Sequence, residues 1–232
     1  MSSRRSYSSY NDGCAAAHAL DLIGERWTLI VVRELFLGPK RFAELQRDVI
    51  GISPTVLSRR LRDLESRGII IRSTLPAPAN VDVYELTPWG LRLEAVNQSL
   101  SMWAVESPAL PWDADMSPDT LVLSMRAHAR GGDHGAKPVR INLILSDSRI
   151  ESSEAVSYSA TVSPQGTTIE RAPRPGLADA EVQATTADWK ACIIGGASLA
   201  SLLRVRISGN THAVDALIRA TNLAGNPEIR GG

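Results

Sequence analysis

Residues 41–73, RFAELQRDVIGISPTVLSRRLRDLESRGIIIRS, decide the fold of the N-terminal half of the chain. Ser53 followed by Pro54 predicts the start of a helix, because the Ser hydroxyl can accept an unpaired backbone N–H and Pro is preorganised at the first helical position. Gly68 suits the left-handed conformation that ends a helix, so the helix is predicted over residues 54–67. Leucines at i, i+4 and i+7 give this helix one apolar face: Leu57, Leu61 and Leu64.

The opposite face of the predicted helix 54–67 is polar and basic, with Thr55, Ser58, Arg59 and Arg62. Arginine can donate two parallel hydrogen bonds to guanine or bind a phosphate, although a basic outer face is more often only solvated. The neighbouring segments favour DNA contact. A short amphipathic helix predicted over 41–49 precedes it across the turn 50–52, which is the spacing of a helix-turn-helix. Strands predicted near 69–75 and 81–86 would form a wing behind it.

Charge is unevenly distributed along the chain. Lys and Arg total 25 and Asp and Glu total 25, so the 232-residue protein has no net charge. Residues 26–72 nevertheless hold ten basic and five acidic side chains, a local net charge of plus five. A basic segment on a neutral protein is the electrostatic pattern of a confined nucleic-acid contact.

Several classes of protein are disfavoured by the sequence. No apolar run approaches the ~18 residues of a membrane span, and no apolar run follows the N-terminal arginines as in a secretory signal. Two cysteines, Cys14 and Cys192, are too few for a disulfide framework, so we expect a reducing cytoplasm. Phosphate-binding loops, nucleophile elbows and metal-ligand pairs are missing, so we expect no enzymatic activity, no cofactor and no metal.

Three stretches resemble the HxlR-type winged helix-turn-helix regulators: IGERWTLIVVRELFLGPKRFAEL at 23–45, GISPTVLSRRLRDLE at 51–65 and YELTPWG at 84–90. The resemblance runs over about residues 14–104. It implies a bacterial transcription factor that binds operator DNA as a homodimer, with the first and last helices of the module in the dimer interface. It also implies the following major-groove contacts: Ser53, Thr55, Ser58, Arg59 and Arg62. Two further arginines are candidate DNA contacts: Arg72, which can reach a phosphate from the base of the wing, and Arg41, at the start of the preceding helix. The predicted tip of the wing, residues 76–80, departs from the family in having no charged residue.

Cys14 is predicted to open the first helix, where unpaired N–H groups stabilise a thiolate. In some HxlR-type relatives a cysteine at the matching position senses oxidants or electrophiles, which makes Cys14 a candidate redox sensor. The alternative is a small apolar residue packed near the dimer interface.

The C-terminal half has a different pattern. Residues 105–116 are rich in proline and acidic side chains and predict a linker. Beyond them, apolar residues alternate along two predicted strands, so we expect an α+β domain over 117–232. Residues 184–218, ATTADWKACIIGGASLASLLRVRISGNTHAVDALI, resemble the end of the sterol carrier protein type domains, which often enclose an apolar cavity. Four residues are candidates to line such a pocket, unless they form a closed core: Leu143, Leu145, Tyr158 and Ile193.

The sequence therefore predicts an α+β protein with a tail over residues 1–13, a winged helix-turn-helix domain over 14–104, a linker over 105–116 and a sterol carrier-like domain over 117–232. We expect a homodimeric transcriptional regulator, with repression favoured, that binds double-stranded palindromic operator DNA. A small apolar effector or modification of Cys14 would control it. The alternative is a small-molecule carrier or accessory protein whose winged helix binds protein, and steep loss of DNA affinity with salt would distinguish the two.

Overall fold

The computed structural model describes residues 9–133 and 137–223. Residues 1–8 of the predicted tail, together with 134–136 and 224–232, lie outside the described residues. The chain divides into two compact units, one up to Asn97 and one from Gln98 onward. The predicted linker 105–116 contains no helix or strand and lies in the second unit. No helix among the described residues is long and apolar enough to cross a bilayer.

The first unit is mainly helical, with a two-stranded hairpin. Its elements in chain order are α1 (Ala15–Ile23), α2 (Thr28–Arg33), α3 (Phe42–Asp48), α4 (Pro54–Ser66), β1 (Ile70–Thr74), β2 (Asp82–Leu86), α5 (Pro88–Leu91) and the start of α6 (Leu93–Ala104). Apolar residues at helical spacing over 88–104 predict one helix, and the structure divides this segment into α5 and α6 at Arg92, whose backbone stays helical with φ −65° and ψ −17°.

The core of the first unit forms where α2, α3 and α4 meet the hairpin. The leucine face of α4 is buried: Leu57 and Leu64 are 0% exposed and Leu61 is 2% exposed. Val31 and Leu45 contribute from α2 and α3, and both are fully buried. Burying this face fixes the rotation of α4, so its opposite face must point away from the core.

The hairpin is joined to the helical part of the unit at two places. β1 and β2 pair antiparallel with Ile70 opposite Leu86. In the middle of β2, the backbone of Tyr84 exchanges two hydrogen bonds with that of Lys40, just before α3, at 3.0 and 2.8 Å. After the end of β2, Thr87 Oγ1 accepts the N–H of Gly90 at 3.0 Å and caps α5. A Cβ on Gly90 would lie 2.1 Å from the carbonyl oxygen of Ile69, so only glycine allows α5 to lie this close to β1.

The second unit contains one five-stranded sheet in the order β5-β4-β3-β6-β7. The strands are β3 (Val139–Ser146), β4 (Val156–Ser163), β5 (Gly166–Arg171), β6 (Ala180–Thr185) and β7 (Arg206–Gly209). β3 and β6 are parallel, and the other neighbours are antiparallel. The helices are α7 (Pro118–Ala127), α8 (Thr186–Ile193) and α9 (Thr211–Thr221), with a 3-10 turn at Leu199–Ser201. α9 packs across β3, β4 and β6. The prediction of an α+β protein is confirmed.

Candidate DNA-binding interface

α4 begins and ends at the signals that the sequence contains. The Oγ of Ser53 accepts the backbone N–H of Val56 at 3.3 Å, and Pro54 occupies the first helical position. Gly68 follows the helix with a φ of 69°, in the left-handed region. This cap satisfies one of the otherwise unpaired N–H groups and stabilises the first turn of α4.

The outer face of α4 presents two guanidinium groups to solvent. Thr55, Arg59 and Arg62 are exposed, and Ser58 is half-buried. The Arg59 side chain is 65% exposed, with Nε 4.0 Å from the Asp63 carboxylate. Arg62 has no ion pair with any described residue. Both arginines are therefore available to an anionic ligand, and this surface is called the α4 face below.

Arg72 and Arg41 stand in different surroundings. Arg72, in β1, donates a hydrogen bond to the carboxylate of Asp82 in β2, which also accepts from Thr74 Oγ1 at 2.8 Å. The hydrogen bond to Asp82 and its charge raise the pKa of Arg72, and Arg72 lowers the pKa of Asp82. A phosphate at Arg72 would have to compete with Asp82. Arg41 is exposed at the start of α3, and its backbone N–H donates to Glu44 Oε2 at 2.7 Å.

A buried ion cluster beneath the helix-turn-helix was not predicted from the sequence. Lys40 is 2% exposed, and its Nζ lies 2.9 Å from Glu34 Oε2 and 2.8 Å from Asp48 Oδ2. Burial alone would raise the pKa of Glu34, but the charges of Lys40 and Arg33 outweigh it and lower the pKa to about 2. Because Glu34 follows α2 and Asp48 ends α3, the cluster fixes the two helices relative to each other.

Arg60 is a second buried charge that sequence reasoning missed. It lies on α4 beside the predicted contact Arg59 but is only 6% exposed. Its guanidinium reaches Glu25 at 3.2 Å and Asp63 at 3.4 Å. The helical period could have placed Arg60 next to the leucine face, but the partner Glu25 is 35 residues away and has no sequence signal.

Cys14 lies at the N-cap of α1 and is exposed. The backbone N–H groups of Ala17 and Ala16 lower the pKa of its thiol. Cys192 in α8 is buried, and burial raises the pKa of its thiol. Exposure and a lowered pKa are typical of a reactive cysteine, as for Cys14, whereas burial and a raised pKa are typical of an inert one, as for Cys192.

The four predicted pocket residues lie in the core of the second unit. Leu143, Leu145 and Tyr158 are 0% exposed, and Ile193 is 1% exposed. The Tyr158 hydroxyl donates to the buried Asp119 carboxylate at 2.6 Å. A cavity of about 200 Å³ in this unit is lined by other residues, among them Val139, Val162 and Arg219.

Comparison with known proteins locates the similarity in the helix-turn-helix half. Residues 22–109 match the model of the HxlR-like helix-turn-helix family. The HTH-type transcriptional regulator YodB of Bacillus subtilis (strain 168) is 38% identical over 86 residues, which are 37% of this chain and 77% of YodB. The uncharacterized HTH-type regulator YvaP of the same organism is 35% identical over 89 residues, 38% of this chain and 82% of YvaP. The solved structure of reduced YodB from B. subtilis shares 35% sequence identity and a TM-score of 0.38, covering 41% of this chain and 95% of that one.

Proposed function

Because this chain belongs to the HxlR-like helix-turn-helix family of DNA-binding transcriptional regulators, we propose that it acts as a repressor, binding palindromic operator DNA as a homodimer. The observation that carries this proposal is the α4 face. Arg59 and Arg62 point outward from a helix whose leucines are buried, on a unit whose segment 26–72 has a net charge of plus five. We further propose that it works in the cytoplasm and has no catalytic activity.

The proposed roles of the predicted contacts follow from their positions. Thr55, Arg59 and Arg62 would reach base edges or phosphates in the major groove, and Ser53 would hold the first turn of α4 against the DNA. Arg41, at the start of α3, would bind a phosphate. Ser58 would contribute at closer range, since it is half-buried.

A homodimer is supported by the apolar surfaces of α1 and α6. Neither helix has a buried residue in the single chain. Val96, Leu100 and Trp103 form a stripe at i, i+4 and i+7 along α6, and Trp103 is 77% exposed. Exposed apolar stripes of this kind mark protein interfaces. We propose that a second copy of the chain covers them, which would place two α4 helices about one DNA turn apart.

Footprinting on the DNA that flanks its own gene, combined with binding at several salt concentrations, tests the proposal. We expect protection of one palindrome and a steep fall in affinity with salt, because phosphate contacts release counterions. In sedimentation, wild-type protein should be a dimer, and Leu100→Glu should shift it toward monomer. Salt-independent or absent DNA binding would instead favour the carrier or accessory protein.

For the second unit we propose a ligand-binding domain of the sterol carrier protein type. The support is its mixed five-stranded sheet with α9 packed across it and an apolar inner face that includes Leu143 and Leu145. Because these side chains are fully buried, a ligand would have to separate α9 from the sheet. Fatty acids and sterols are the compounds to test, and a bound one should raise the melting temperature, by the equivalent of ~2.7 kcal/mol at a hundred times its Kd.

A further inference from the structure

Trp27 has an unusual backbone conformation beside the helix-turn-helix. Its φ is 76°, a left-handed value that bulky residues rarely adopt, and it is the N-cap of α2. The outer edge of its indole lies against Gly51, where an added Cβ would sit 3.5 Å from Trp27 Cη2. Gly51 belongs to the turn that leads into Ser53 and α4. The Trp27 ring therefore lies beside the turn before α4, at the end of the helix that would approach DNA.

Arg26 is held on this ring. Its Cζ lies 5.0 Å from the centroid of Trp27, the geometry of a cation–π contact, and the residue is exposed. The carboxylate of Glu25, the residue before Arg26, lies instead 3.2 Å from the Arg60 guanidinium. Among the residues that the structure describes, Arg26 has no ion pair. Its guanidinium therefore lies over an aromatic ring and has no carboxylate partner in the described part of the chain.

We propose that Arg26 binds a DNA phosphate beside the start of α4 and that stacking on Trp27 holds it in position. The proposal rests on the proposed DNA-binding function and adds a contact outside α4. A stacked guanidinium keeps its edge N–H groups free, which suits two hydrogen bonds to a phosphate. Because Arg26 lies before α2 rather than on the α4 face, its contact positions the protein on the duplex without reading bases.

The test compares Arg26→Gln with Arg206→Gln, which removes an exposed arginine from β7 in the second unit. Each is titrated with the footprinted duplex and with a scrambled duplex of the same length and composition. Removing one phosphate contact should reduce the slope of log affinity against log salt by about 0.9 on both duplexes. The ratio of mutant to wild-type Kd should then fall about threefold between about 50 and 200 mM salt. Arg26→Lys should retain the slope, because it keeps the charge.

Thermal melting should be unchanged in Arg26→Gln, since the side chain is exposed, and Arg206→Gln should bind like wild type. A steep wild-type slope with an unchanged slope in Arg26→Gln would overturn the Arg26 contact alone. Loss on the footprinted duplex only would also overturn it, since that result indicates base recognition. Absence of any salt-dependent binding by the wild type would overturn the proposed function and this contact together.

Discussion

Neighbouring arginines on α4 have different roles because the helix turns by about 100° per residue. Arg59 and Arg62 are on the exposed side, whereas Arg60 is turned toward the core and contacts Glu25 and Asp63. Substituting them should separate DNA binding from stability.

Arg59→Ala and Arg62→Ala should each weaken binding to the footprinted duplex and leave thermal melting unchanged. A lost bidentate base contact costs ~1–3 kcal/mol, and a lost phosphate contact flattens the salt dependence. Arg60→Ala should instead lower the melting temperature, and Arg204→Ala, an exposed arginine in the second unit, should change neither property. Unaltered titrations for both Arg59→Ala and Arg62→Ala would contradict the assignment of the α4 face.

A second prediction at the residue scale concerns Lys40. Lys40→Met leaves the buried carboxylates of Glu34 and Asp48 without their shared cation, which should cost ~3–5 kcal/mol of unfolding free energy at neutral pH. The measurement is urea unfolding, with Lys137→Met at an exposed lysine as the matched control. Equal losses in the two variants would show that the cluster does not stabilise the fold.

The same cluster makes stability depend on pH. Because the pKa of Glu34 is about 2 in the folded protein and 4.5 is the reference value, its contribution is complete above pH 4.5 and is lost as the pH falls toward 2. Wild type should therefore lose stability through that range. Lys40→Met should lose less, since without the lysine the folded pKa of Glu34 rises toward its reference value.

At the scale of elements, the wing differs from the α4 face because its Arg72 is paired with Asp82 on the neighbouring strand. Asp82→Asn should free Arg72 and remove one negative charge, so the scrambled duplex should bind more tightly and with a steeper salt slope, by up to about 0.9. Arg72→Ala in the Asp82→Asn background should remove most of the gain. If Asp82→Asn alone leaves binding unchanged, the wing does not reach the DNA backbone.

Elements defined by local signals could be predicted from the sequence. α4 follows from Ser53, Pro54 and Gly68, because capping and chain reversal depend on neighbours within a few residues. The division at Arg92 and the close approach of Gly90 to Ile69 have no such local signal. Helical periodicity over 88–104 continues through the break and gives no sign of it.

Pairings between distant segments could not be predicted. Alternation indicates β3 and β4, but the parallel pairing of β3 with β6 brings Leu143 beside Val182 across two other elements. The ion cluster of Lys40 could not be predicted either. The sequence shows that Glu34 and Asp48 are charged, but it does not show that they are buried around Lys40. In the candidate interface, the sequence indicated the α4 face but not the contact between Arg26 and Trp27, nor the left-handed backbone at Trp27.

At the scale of the whole molecule, the question is which unit receives the signal that releases DNA. The first unit contains Cys14, an exposed thiol whose pKa is lowered by backbone N–H groups. The second unit contains the proposed apolar ligand site. The two cysteines provide a matched pair of variants, because Cys192 is buried and has a raised pKa.

If Cys14 is the sensor, N-ethylmaleimide should alkylate it first and weaken binding to the footprinted duplex in wild type and in Cys192→Ser. Cys14→Ser should bind DNA like wild type and no longer respond, since the thiolate is the reacting species. Alkylation of Cys14 should also proceed at lower pH than for an ordinary thiol, because its pKa is lowered. Release of DNA from Cys14→Ser by the same reagent would contradict this role. An apolar compound that raises the melting temperature of Cys14→Ser and still releases DNA would assign control to the second unit, through a coupling of ~1–3 kcal/mol between ligand and DNA.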